Sequence, residues 1–119
     1  MKKHWVMDYE TLTNCFTGVF EHYKTQETEI FVVHDLRNDL PEFIKFLENN
    51  IKNKEWHISY NGLAFDAQVT HYILDNYYLW KNLGGCEVAE IIYKYAQRCI
   101  QKSNNREFSD YPQWKMKMG

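Results

Sequence analysis

Residues 55–66 read Glu55-Trp56-His57-Ile58-Ser59-Tyr60-Asn61-Gly62-Leu63-Ala64-Phe65-Asp66, a short strand that breaks and restarts as a helix. Glu55 to Ser59 alternates large and polar residues, the pattern of a half-buried strand over Trp56 to Ser59. Asn61-Gly62 interrupts it. Beyond the break Phe65, Val69, Tyr72 and Ile73 recur at helical spacing, which places Asp66 in the first turn of a helix leaving the strand's C-terminal end. A carboxylate suits that position, because the helix dipole favours negative charge at its N-terminus. Gly62 gives the backbone the freedom to aim such a side chain out of the sheet edge.

The remainder of the chain supplies candidates to meet that carboxylate. His4 to Glu10 alternates, with Trp5, Met7 and Tyr9 on one side and Val6, Asp8 and Glu10 on the other. Two carboxylates side by side repel, so Asp8 and Glu10 form either a solvated acidic face or one half of a cation site. Cys15 to Tyr23 reads as a second strand, with Phe16 and Phe20 on one face and Gly18 between them, and Thr28 to His34 as a third. Short links make these three an antiparallel meander. Asp39-Leu40-Pro41-Glu42 predicts a helix start, with Asp39 as cap and Glu42 closing a capping box. Leu40, Phe43, Ile44, Leu47 and Ile51 then form its core-facing stripe. After the helix headed by Asp66, Leu83-Gly84-Gly85 breaks the pattern, and a last helix begins near Cys86-Glu87 with Val88, Ile91, Ile92, Tyr95 and Cys99 in register. These elements make one domain over residues 1–102, with 103–119 a tail or connector.

Composition sets the outer limits. With 119 residues, 45% of them hydrophobic and 17% aromatic, the chain is one domain's worth and can bury a core. Fourteen basic against sixteen acidic residues leave a net charge of −2, which excludes a broad cationic surface for nucleic acid; any such partner must be held locally. Cys15, Cys86 and Cys99 are odd in number and widely spaced, so they read as free thiols and fit a reducing, cytoplasmic setting. Neither a signal peptide nor a membrane span is present in the sequence.

A meander followed by a helix that returns to a fourth strand places that strand beside the first and parallel to it. The first strand is then central, and Asp8, Glu10 and Asp66 can converge at one sheet edge. Three oxygen ligands there suit a hard cation, Mg2+ or Mn2+.

Val6-Met7-Asp8-Tyr9-Glu10-Thr11 resembles the first motif of the DEDD-type 3′–5′ exonucleases, the proofreading branch of the ribonuclease H-like fold. Tyr60-Asn61-Gly62-Leu63-Ala64-Phe65-Asp66 resembles their second motif, Asn-x-x-x-Phe-Asp. The resemblance covers about the first 80 residues. It implies an α/β, ribonuclease H-like fold and metal-dependent removal of nucleotides from a 3′ end, of single-stranded DNA or of RNA. By motif, Asp8 would bridge two metal ions, Glu10 bind one of them and Asp66 support the other, with the two ions about 4 Å apart. Asn61 and Phe65 match positions that support the terminal nucleotide and the motif's packing. Thr11 closes the first motif, and Leu12 matches the apolar residue that packs on the terminal base. For Phe65 and Leu12 a purely structural role fits equally well.

The departure from the family is as informative as the match. The third motif, His or Tyr followed by Asp on a helix after a fifth strand, has no convincing copy. His71 to Asp75 has the spacing but lies on the helix of Asp66 and reads as a surface pair, while Asp110-Tyr111 has the order reversed. The chain therefore reads as the N-terminal part of such a fold, its C-terminal portion missing, in a standalone or N-terminal exonuclease with a polymerase as a possible partner. The alternative is a degenerate ribonuclease H-like module that binds a nucleic-acid end or a protein without cutting. Three other features have plainer explanations. His34-Asp35 evokes HD phosphohydrolases but ends a strand; Lys94, Arg98 and Lys102 read as a solvated face paired with Glu90; Trp56, Trp80 and Trp114 read as core or partly buried anchors.

Overall fold

In the computed structural model of the chain, residues 4–59 and 65–111 are described. They form strands β1 (Trp5–Thr11), β2 (Phe16–His22) and β3 (Thr28–Val33), helix α1 (Leu40–Lys52), strand β4 (His57–Ile58), and helices α2 (Ala67–Asn76) and α3 (Gly85–Asn104). The strand order is β3-β2-β1-β4. β1 pairs antiparallel with β2, and β2 with β3; β4 runs parallel to β1, with Trp5 opposite His57 and Val6 opposite Ile58. The meander, the central first strand and the parallel return follow the sequence reading. The fourth strand is shorter than expected, with two residues in place of Trp56 to Ser59.

Period-two alternation decides which face is covered. Trp5, Met7 and Tyr9 of β1 are buried with Phe16, Phe20, Phe31 and Val33 of the neighbouring strands, against Phe43, Ile44 and Leu47 of α1 and Val88 and Ile92 of α3. Each fully buried side chain of this size contributes about 1.5–3 kcal/mol. Tyr9 is the hub of the aromatic core, its ring centroid 5.1 Å from Phe16 and 6.0 Å from both Phe20 and Phe43. Gly18 sits opposite Tyr9 because the ring lies over it: a Cβ there would stand 3.1 Å from Tyr9 Cε1.

Two details at α1 correct the sequence reading. Asp39 stands at the N-cap, yet its side chain makes no capping hydrogen bond. Asp39 Oδ2 instead accepts from Val32 N at 3.0 Å and from Arg37 Nε at 2.7 Å, while Asn38 Oδ1 accepts from Leu40 N. The capping box is thus absent because β3 and Arg37 compete for the aspartate. At the far end Asn50, not Ile51, is the buried position. Its amide lies 2.8 Å from His57 Nε2; turned so that its oxygen accepts from that ring, it also donates to Glu55 Oε1 and Phe46 O. A polar residue is tolerated in the core stripe since its hydrogen bonds are met there.

α3 is seated by close backbone contact. A Cβ on Gly85 would fall 2.3 Å from His34 O, so only glycine lets the helix start lie against the end of β3. Asp35 Oδ1 accepts from Cys86 N at 2.9 Å, which caps the helix from a neighbouring element and holds the Asp35 carboxyl below the usual range. Beyond α3 the chain folds back. Asp110 accepts from Lys102 and, at 3.2 Å, from Tyr95 Oη, with Arg98 3.7 Å away. The buried Gln68 of α2 donates to Tyr111 O at 2.6 Å and accepts from Tyr111 N at 2.9 Å. Asp110 and Tyr111 are therefore fastened to the helices and α3 runs on to Asn104, where the sequence reading had a tail or connector from 103.

Candidate functional site

β1 and the start of α2 place the acidic residues. Asp8 and Glu10 lie on the open face of β1, both exposed, because they occupy the even positions of a strand whose odd positions form the core. Asp66 is the N-cap of α2, following a wide π-type turn at residues 65–66, and is only 5% exposed. Its side chain makes no capping hydrogen bond, and Asp66 Oδ1 is buried with no hydrogen-bond partner.

The electrostatics link these elements. Burial raises the Asp66 carboxyl above its ordinary value; the Ser59 hydroxyl, just past β4, draws it partly back, and the charge of Asp8 pushes it up further. Ser59 Oγ, like Asp66 Oδ1, is buried with no hydrogen-bond partner. Thr70, one helical turn beyond Asp66, is hydrogen-bonded to Tyr9 Oη and ties α2 to β1 directly beneath the acids. Burial pushes the Tyr9 hydroxyl far up, and Asp66 adds to that shift, so Tyr9 stays neutral. The structure thus brings Asp8 and Asp66 within electrostatic reach of one another. Among the described residues, no group of three or more His, Cys, Asp and Glu side chains is placed to hold a metal ion.

The other expected site residues sit around this pair. Thr11 ends β1, half-buried opposite Phe16, and Leu12 is 51% exposed, its amide bonded to Cys15 O. Phe65 is half-buried and packs on the core. Asn61 lies outside the described residues. Ser59, Thr70 and the Tyr9 hydroxyl were not anticipated as part of the site. The spacing of four from Asp66 was the available signal for Thr70, but its partner comes from β1, which no local pattern discloses.

Residues set aside in the sequence are accounted for. His71 is buried against the Tyr111 ring, with centroids 5.7 Å apart, and is not a surface residue; Asp75 is exposed. Lys94 pairs with Glu90 at 2.9 Å, whereas Arg98 and Lys102 turn to Asp110, so this stripe is neutralised by acids of the chain. Asp35 serves α3. Trp80 is a core residue, but Trp56 is 58% exposed, contrary to its reading as an anchor. Cys15 and Cys86 are half-buried and Cys99 buried, all as free thiols. Among the described residues no helix is long and apolar enough to cross a membrane.

The class defined by fold and site is an α/β domain with a four-stranded mixed sheet, three helices on one face, and a buried carboxylate at the head of the helix after the parallel strand. In comparisons with known proteins, no family model, no curated protein and no solved structure matches this chain.

Proposed function

We propose that this chain carries the metal-ligating part of a ribonuclease H-like 3′–5′ exonuclease that hydrolyses phosphodiesters at nucleic-acid 3′ ends. The observation that carries the reading is Asp66: a buried carboxylate with an unpartnered oxygen, its proton affinity raised by burial and by Asp8. Such a group costs stability unless a cation joins it. Central β1, with Asp8 and Glu10 on one face, and parallel β4, leading to Asp66, give the topology that both motifs imply. Oxygen-only donors suit Mg2+ or Mn2+; Asp66 and Asp8, within electrostatic reach of one another, would hold the ion first, and Glu10 would join only if the three carboxylates closed further than they stand here. When bound, a divalent cation supplies charge to steady the phosphate and the departing 3′ oxygen. The protein's part is to orient the carboxylates, with Thr70 and Tyr9 fixing α2 against β1; burial and Asp8 oppose the ionisation of Asp66, and a bound cation would favour it.

A second reading rests on one observation: no set of three metal-capable side chains is gathered among the described residues. On that reading the module binds a nucleic-acid end or a protein without cutting. The assay that separates the two incubates the chain with Mn2+ and a 3′-labelled single strand. Shortening from the 3′ end, reduced at least about hundredfold in Asp8→Ala and in Asp66→Ala, is expected of the exonuclease. Cleavage unchanged in Asp8→Ala would reject the site. Calorimetric silence with millimolar Mg2+ and Mn2+ would favour the module that binds without cutting.

A further inference from the structure

The open face of the sheet is not uniformly polar. An antiparallel meander with helices on one side ordinarily turns polar residues outward. Here the outward positions include Val6 (49% exposed), Val19, Ile30 (50%) and Ile58. The register makes them neighbours: Ile58 lies beside Val6 on β1, and one row along, Val19 lies beside Ile30. Together they form an apolar diagonal across all four strands, extended by Trp56, which is exposed next to β4. Single exposed aliphatic residues need no explanation, but a contiguous run does.

On the strands themselves the charge around the diagonal is of one sign, and the cation at its β3 end, Arg37, which donates to Ile30 O at 3.3 Å, is paired with Asp39. Glu21 stands opposite Val6, and Asp8 stands opposite Val19 with Glu10 beyond it, so carboxylates flank the run on both sides. None of the outward-facing strand residues is lysine or arginine. That pattern disfavours a second copy of the chain, which would bring the same acids against each other, and, without a bridging cation, a nucleic acid, whose phosphates the acids repel. It complements a polypeptide with an apolar stripe bordered by basic residues. A helix about 10 Å across covers two strand spacings of about 4.8 Å, which suits a diagonal on a flat sheet.

We propose that the open face of the sheet is a docking surface for an amphipathic helix of another polypeptide, its apolar stripe seated on Val6, Val19, Ile30 and Ile58 and its lysines or arginines on Asp8, Glu10 and Glu21. This goes beyond the nuclease reading and does not depend on it, although the two share Asp8 and Glu10, for which a docked helix and a divalent cation would compete. The probe is a fluorescein-labelled synthetic helix of about 18 residues, leucine on one face and lysine on the other, followed by anisotropy in EDTA. A leucine and glutamate helix of the same length serves as the control. The lysine helix is expected to bind, the glutamate helix at least about tenfold more weakly. Val19→Lys, Ile30→Lys and Glu21→Lys should each weaken binding about tenfold with circular dichroism and melting temperature retained, while Leu36→Lys, in the loop beyond β3 and outside the strands, leaves it unchanged. Equal binding of both helices, or equal loss in Leu36→Lys and Ile30→Lys, would overturn the proposal. So would displacement of the helix by a single-stranded oligonucleotide, or a dimer in light scattering that Ile30→Lys disperses. Because EDTA removes divalent cations, failure here leaves the carboxylate site untouched, and failure of the nuclease assay leaves this surface untouched.

Discussion

Asp66 is buried, one of its oxygens has no partner, and both its burial and Asp8 oppose its ionisation. The folded state therefore binds this proton more tightly than the unfolded chain, whose aspartate titrates near 3.8. The contribution of Asp66 to stability is at its fullest below that value and is lost as pH rises through the raised folded value. Asp66→Asn removes the charge while keeping the shape. It is expected to stabilise the metal-free protein at neutral pH by about 1–2 kcal/mol, read by urea denaturation, even as it abolishes any divalent-dependent activity. An unchanged or lowered midpoint would mean that the buried charge is already compensated. At this scale the residue types were legible: two acids on one strand and one at a helix start need only periods of two and 3.6. The burial of Asp66, and the support from Ser59 and Thr70, were not, because each arises where separate segments pack together.

Among the elements, α3 shows most clearly how a helix is placed by something other than its own periodicity. Its apolar stripe says which face is buried, and Val88, Ile92, Tyr95 and Cys99 are indeed buried. Its position is set by Gly85 against the His34 carbonyl and by the Asp35 cap on Cys86 N. Gly85→Ala would gain helix propensity but drive a methyl into backbone at 2.3 Å. We expect a net loss of about 2 kcal/mol or more, seen as a lower urea midpoint; a neutral or stabilising result would mean that the contact is looser than described. The glycine was visible in the sequence only as a break. Its partner lies 51 positions away, and a close backbone contact leaves no mark in either segment alone. α1 teaches the reverse lesson: Asp39 and Glu42 match a capping box by type, but β3 and Arg37 recruit the aspartate first.

At the level of the whole molecule, stability against pH sums groups that pull in opposite directions. His57, half-buried at the sheet edge beside Asn50 and Phe20, has its pKa pushed down to about 4 by desolvation. With a depressed value, its contribution is present above the unfolded value of 6.5 and is lost as pH falls through about 4. Asp66 works the other way, losing its contribution as pH rises above the ordinary carboxylate range. The wild type should therefore destabilise on acidification between pH 6.5 and 4, and His57→Gln should flatten that limb by about 1–3 kcal/mol in denaturant midpoints taken across the range. An acid limb that persists in the variant would assign it to other groups.

The linear pattern alone yields the three-strand meander, the helix stripes, the parallel return of the fourth strand beside the first, and the identity of three acids on adjacent elements. All of these follow from repeats within single segments and from the handedness of crossovers, which are properties of L-residues in short stretches. Tertiary packing alone decides that Asp66 is buried and unpartnered, that Gln68 clamps Tyr111 across 43 positions, and that aliphatic residues line the open side of the sheet. Alternation can say that two faces differ, but which of them the helices cover, and how dry each becomes, depends on contacts between residues far apart in the chain.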